Sequence, residues 1–132
     1  MTNNYTDLEE ALVGLLYRSE SDYPLEFVYW AKPPEVILDC SFVREHLALD
    51  ADLKTEEGDA QSLLESCCKI ESWFEEEDRK QALGFQKLRD LLNQRFSKLR
   101  LFRIGEVEIN LVLVGEDSAG HVAGFKTISV ET

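Results

Sequence analysis

The chain has 132 residues, of which 26 are acidic and 14 basic, giving a formal net charge of −12. This length suits one domain, residues 1–132, whose folded surface of about 7,000 Å² leaves room for a core without disulfides or metal. The charge excludes direct docking on nucleic acid or on anionic lipid, whose phosphates repel it.

The chain opens with a helix, beginning at the Thr6-Asp7-Leu8-Glu9 capping-box pattern. Leu8, Leu12, Leu15 and Leu16 follow at helical spacing, which extends the helix to about Arg18. Ser19-Glu20-Ser21-Asp22 is turn chemistry and Pro24 cannot continue a helix. Aromatic and β-branched residues make 25–31 a strand, which Pro33-Pro34 ends. Val36-Ile37-Leu38 reads as a short strand or extended piece, and Ser41 as the cap of a short helix reaching Leu49. Residues 50–59 are polar and acidic and read as a mobile loop; 60–68 read as another short helix. The longest helix spans about 73–98, with Phe85, Leu88, Leu92, Phe96 and Leu99 on one face. Glu75, Glu76, Glu77 and Asp78 meet the positive end of its dipole. Residues 106–114 alternate apolar and polar, Gly115 to Gly120 form a turn, and 122–130 return as the second strand of a hairpin. A sheet built from this hairpin and strand 25–31, with helices packed on it, is α+β.

Charge is divided unevenly along the chain. Residues 1–78 carry 20 acidic and 5 basic side chains, and residues 79–132 carry 6 and 9, so −15 and +3 make the total of −12. Such a field suits a basic protein partner, or solubility alone. The three cysteines, Cys40, Cys67 and Cys68, form no CxxC pair and imply no disulfide framework. With no membrane-length apolar run and no signal-peptide pattern at Met1-Thr2-Asn3-Asn4-Tyr5, a reduced, cytoplasmic compartment is expected.

Motifs for chemistry are lacking. His46 and His121 stand in no metal-ligand spacing, and no P-loop, GxGxxG, GxSxG or HExxH occurs. The expectation is a binding protein, not an enzyme, with no cofactor and no metal of its own. Three features remain. Glu20 lies in a short loop that is either a plain connector or a rigid mount for a carboxylate. Trp73, beside the acidic run, is either a core plug or an interface anchor. Thr132 follows a strand directly, bringing oxygen ligands of the kind that suit Mg²⁺ or Ca²⁺.

Three segments resemble the nuclease A inhibitor family, small proteins that inhibit sugar-nonspecific DNA/RNA endonucleases. Gly14-Leu15-Leu16-Tyr17-Arg18-Ser19-Glu20-Ser21-Asp22-Tyr23-Pro24 is similar to that family's GLL-x-x-SES-[DE]-YP. Trp73-Phe74-Glu75-Glu76-Glu77 with Phe85-Gln86-Lys87-Leu88 is the second. The third runs from Gly105-Glu106-Val107-Glu108-Ile109 through Val114-Gly115-Glu116, Ala119-Gly120 and Ala123-Gly124 to Val130-Glu131-Thr132. Residues 31–60 carry no such likeness. Arg18 stands where the family is apolar, and Ser72 where it has an acid.

The resemblance implies a three-layer α/β/α sandwich with a mostly antiparallel sheet, like that of plant pathogenesis-related proteins. It also implies a monomer that binds a sugar-nonspecific nuclease in a 1:1 complex. By its motifs Glu20 and Thr132 enter the nuclease active site, where Thr132 approaches the partner's catalytic metal. Trp73 and the neighbouring Glu75 touch the enzyme as well. The other reading is an acidic interaction domain of the same fold that binds a different basic protein.

Overall fold

Burial on both faces of the central strands sets the architecture. A computed structural model describes residues 5–132. In it β3 (Glu26–Trp30), β4 (Thr55–Gly58), β5 (Leu99–Ile104), β6 (Glu108–Glu116) and β7 (Val122–Val130) form one sheet in the order β3-β7-β6-β5-β4. Every neighbouring pair is antiparallel. Successive side chains leave a strand on opposite faces. Leu101, Leu111, Leu113 and Phe125 therefore join one apolar cluster, while Phe102, Val112, Val114 and Val122 join another.

Helices α1 (Thr6–Leu12), α3 (Ala60–Cys68) and α4 (Glu76–Arg95) supply the first cluster through Leu8, Leu64, Leu88 and Leu92, all fully buried. Helix α2 (Cys40–His46) supplies the second through Phe42 and Val43. Each fully buried Leu or Phe contributes about 1.5–3 kcal/mol relative to an exposed one. The fold is α+β, as expected, and among the described residues no helix is long and apolar enough to cross a membrane.

Several boundaries differ from the sequence reading. The first helix stops at Leu12 instead of Arg18, and its N-cap position is Tyr5 rather than Thr6. Gly14 takes φ +80°, a left-handed conformation that glycine adopts without a Cβ clash, and this turns the chain out of the helix. Gln81 of α4 then holds the new direction. Its side-chain amide donates to the Gly14 carbonyl (2.8 Å), and its side-chain oxygen accepts from the Leu16 amide (3.0 Å). Leu16–Arg18 is thus a strand, β1, paired with β2 (Asp22–Pro24) in a separate two-stranded hairpin.

Residues 36–38 form no strand; Leu38 is buried in the second cluster and Ile37 is exposed. Asp39, not Ser41, caps α2 by accepting the Phe42 amide (2.9 Å), and the helix ends at His46 rather than Leu49. The acidic stretch 50–59 is not all loop. Its Thr55–Gly58 segment is an edge strand, because Arg100 and Arg103 of β5 bind Glu57 and Glu56 across the ladder. Helix α4 is shorter than the 73–98 expected, and Leu99, read as its last apolar position, begins β5. In β6 the strand starts two residues late. Gly105 (φ +124°) makes the turn before it, where an added Cβ would lie 2.3 Å from the Glu108 carbonyl oxygen.

Candidate functional site

The β1–β2 hairpin places its tip, Ser19-Glu20-Ser21, against the end of β7. The Ser19 hydroxyl accepts the Val130 amide (2.9 Å) and donates to the Ser21 carbonyl (2.9 Å). The Glu20 amide donates to the Val130 carbonyl (3.3 Å), and further back Thr127 Oγ1 donates to the Pro24 carbonyl (2.9 Å). These bonds fix the hairpin to the free edge of β7 beyond β3, so Glu20 meets the residues that follow the strand.

There Thr132 binds Glu20 twice. Its hydroxyl donates to Glu20 Oε1 (2.6 Å) and its amide donates to Oε2. Both residues are exposed. Two groups 112 residues apart in the chain thus form one tip.

Glu131 anchors that tip from below. Its amide donates to the Val107 carbonyl (2.9 Å), placed by the turn at Gly105. Its carboxylate accepts from Ser129 Oγ (2.7 Å) and from Arg103 Nη2 (3.1 Å to each oxygen). The Ser129 hydroxyl chiefly holds the Glu131 pKa below the usual carboxylate range; partial burial opposes this, and Arg103 reinforces it. Arg103 in turn spans Glu131 and Glu56, and its pKa rises because these bonds outweigh the burial that disfavours its charge.

Arg18, just before the tip, does not face Asp22, its partner in register, but reaches across to Asp78 of α4. The same Asp78 carboxylate accepts the Glu75 amide (3.0 Å) and completes a capping box with Glu75 at the helix start. The Arg18 hydrogen bond, followed by that of the Glu75 amide, lowers the Asp78 pKa. A chain of polar contacts therefore links the Glu20 hairpin to the segment bearing Trp73 and Glu75. Trp73 is 71% exposed, its ring edge-on to Phe74 at 4.8 Å, so it is not a core plug. Glu75 is exposed as the N-cap of α4. Between hairpin and helix lies a cleft of about 200 Å³, walled by Tyr17, Cys67, Phe74 and Phe85 and rimmed by Arg18 and Asp78.

Other reactive side chains have structural surroundings. His46 Nδ1 lies 2.9 Å from the Phe42 carbonyl, and its ring packs on Phe42 and Trp30. His121 Nδ1 accepts the Lys32 amide (3.0 Å). Burial, with Cys68 adjacent, pushes the Cys67 thiol up to about 12. Among the described residues no group of three or more His, Cys, Asp or Glu could hold a metal ion.

Of the residues singled out in the sequence, Glu20 and Thr132 are in direct contact, while Glu75 is tied to the hairpin through Asp78 and Arg18, and Trp73 lies two residues before Glu75. Sequence reasoning gave Asp78 only a place at the helix dipole and Glu131 only a place in the terminal motif, and it missed Arg103 and Ser129 as supports. Arg100 and Arg103 stand three apart in Leu99-Arg100-Leu101-Phe102-Arg103-Ile104, which breaks the period-two alternation of a half-buried strand, so no local pattern placed Arg103.

No curated protein matches the chain. The family described as NuiA, nuclease A inhibitor-like protein, matches residues 2–132, including the 31–60 stretch that carried no likeness by motif. With that match over nearly its whole length, the chain belongs to the nuclease A inhibitor-like protein family.

Proposed function

We propose that this protein inhibits a sugar-nonspecific, divalent-metal-dependent DNA/RNA endonuclease, as a cytoplasmic monomer in a 1:1 complex, by filling the active site with the Glu20–Thr132 tip. The observation that carries the reading is the pair of hydrogen bonds from Thr132 to Glu20, which gathers oxygen atoms at one exposed edge. A nuclease that cuts DNA and RNA alike binds phosphates with cationic side chains and a divalent metal. Carboxylate and hydroxyl oxygens held at fixed spacing imitate such a backbone, and occupying the metal's surroundings denies it both the scissile phosphate and the attacking water. The inhibitor supplies no chemistry and no cofactor.

Trp73, exposed with an acidic residue on the same segment, suits a second contact: aromatic anchors ringed by polar groups carry much of the energy of protein interfaces. Arg18 does not spoil the acidic surface, since Asp78 neutralises it. Net −15 over residues 1–78 favours fast encounter with a cationic cleft. An interface of about 800 Å² per partner would hold both contacts. Apolar clusters on both faces of the sheet fit the three-layer sandwich expected of the family.

Titration of the protein into a Mg²⁺-dependent, sugar-nonspecific nuclease tests this. Activity should vanish at one equivalent, with association slowed by added salt. Absence of inhibition across a panel of such nucleases would leave the other reading, an acidic domain of this fold that binds a different basic protein.

A further inference from the structure

We infer that the cleft between the β1–β2 hairpin and α4 receives one large apolar side chain of the nuclease, borne on a surface that also carries lysine or arginine. The inference rests on the nuclease-inhibitor reading above and adds to it a socket separate from the hairpin tip and from the exposed face of Trp73.

The size of the cleft suits a side chain rather than a free ligand. It holds about 200 Å³. Pockets that enclose whole small-molecule ligands hold roughly 300–1,000 Å³. The smaller space equals the share of about seven waters in the liquid, room for one leucine, phenylalanine or tryptophan side chain.

Its walls are apolar. Tyr17 and Phe74 are half-buried, and Ala82 and Phe85 are buried. Cys67 adds a thiol that burial keeps protonated, with a pKa pushed up to about 12. The charged and amide groups at the rim already have partners. Arg18 pairs with Asp78, Lys69 with Glu71 (3.3 Å), and Gln81 spends both ends of its amide on Gly14 and Leu16. An incoming polar group finds those partners taken, whereas an apolar one displaces loosely held water. Trp73, edge-on to Phe74, carries the same wall outward.

Charge around the mouth selects what bears that side chain. Residues 16–24 and 69–78 contain seven acidic side chains and two basic ones, and both cations are paired within the chain. A socket that is apolar inside and acidic outside fits an apolar side chain standing among cations, as on a surface that binds phosphates; an acidic protein would be repelled. An anchor in a desolvated pocket, ringed by polar contacts, is the arrangement that concentrates binding energy at interfaces. The cleft is thereby a specificity determinant: a nuclease without the anchor leaves it unfilled and binds less tightly.

Indole serves as the probe of the socket, followed by NMR of the full-length free protein. At about millimolar concentration it should give saturable shifts at Tyr17, Phe74 and Phe85. Ser66, exposed at the cleft, and Cys67, on its wall, allow the space to be filled from two directions, so Ser66→Trp and Cys67→Phe should each exclude indole. Titrated into a Mg²⁺-loaded, sugar-nonspecific nuclease, both should inhibit about tenfold or more weakly, the scale of a lost anchor, while Ser66→Ala inhibits like the wild type. Melting temperatures identify a variant that has lost its fold, and the other then decides. Absence of saturable shifts overturns the inference, as does indole binding that survives both substitutions, or full inhibition by a folded variant that excludes indole. If the wild type inhibits no nuclease, the functional reading falls and the assigned occupant with it; indole binding then still decides whether the cleft is a socket for an aromatic group.

Discussion

Arg103 holds Glu131 with one guanidinium nitrogen, Nη2, 3.1 Å from each carboxylate oxygen, and the residue so held is the one that carries Thr132. Strand β5 thereby reaches the presented tip without contributing to its outer surface. Arg103→Ala should speed amide exchange at Glu131 and Thr132 and weaken inhibition, while changing global stability by only about 1 kcal/mol or less, the scale of a partly exposed ion pair. Unchanged exchange at both amides would mean that Arg103 does not brace the tip.

The Arg18–Asp78 bond gives a second expectation. Arg18 is the chief reason that the Asp78 pKa is lowered. Arg18→Ala should therefore raise it toward the ordinary aspartate range, as read by NMR titration of the Asp78 carboxyl. Exchange of the Glu20 amide, bonded to Val130, should quicken in the same variant. An Asp78 titration that does not move would show the pair to be absent in solution.

Much of this was legible in the sequence, and the failures share a cause. Helix α3, strand β3, the β6–β7 hairpin and the amphipathic centre of α4 follow from local composition and periodicity. Strands β1, β4 and β5 do not, because their pairing is set by distant partners. Leu15 and Leu16 fit a helical stripe until Gly14 and Gln81 redirect the chain. Glu56 and Glu57 look like loop residues until Arg103 and Arg100 lie beside them. Glu20 and Thr132 were conspicuous as oxygen-bearing groups, but Arg103, Ser129 and Glu131 became visible only once β5 and β7 had a register with β6.

Acid should separate ion-pair stability from core stability. The Arg100 hydrogen bond is the main cause of the lowered Glu57 pKa. A depressed carboxylate contributes stability that is present above its unfolded value, about 4.3, and lost as pH falls through the folded one. The stability difference between wild type and Arg100→Ala, from urea midpoints, should thus be constant between about pH 6 and 8 and shrink below about pH 4. A difference that grows in acid would contradict the pairing.

Cys67 should behave as an inert thiol. With its pKa pushed up to about 12, almost no thiolate exists near pH 8. Burial raises the Cys40 and Cys68 thiols as well. Alkylation of the native protein by iodoacetamide should be slow at all three and should accelerate sharply in denaturant. Rapid native-state modification of Cys67 would contradict the raised pKa of this half-buried thiol.

Entry of the Glu20–Thr132 tip into a nuclease active site can be read by adding a short peptide tag after Thr132 and titrating the tagged protein against a Mg²⁺-dependent, sugar-nonspecific nuclease. The tag should abolish or strongly weaken inhibition while leaving the melting temperature unchanged, whereas the same tag placed before Met1 should leave inhibition intact. Equal inhibition by the two tagged proteins would mean that the tip stays outside the active site.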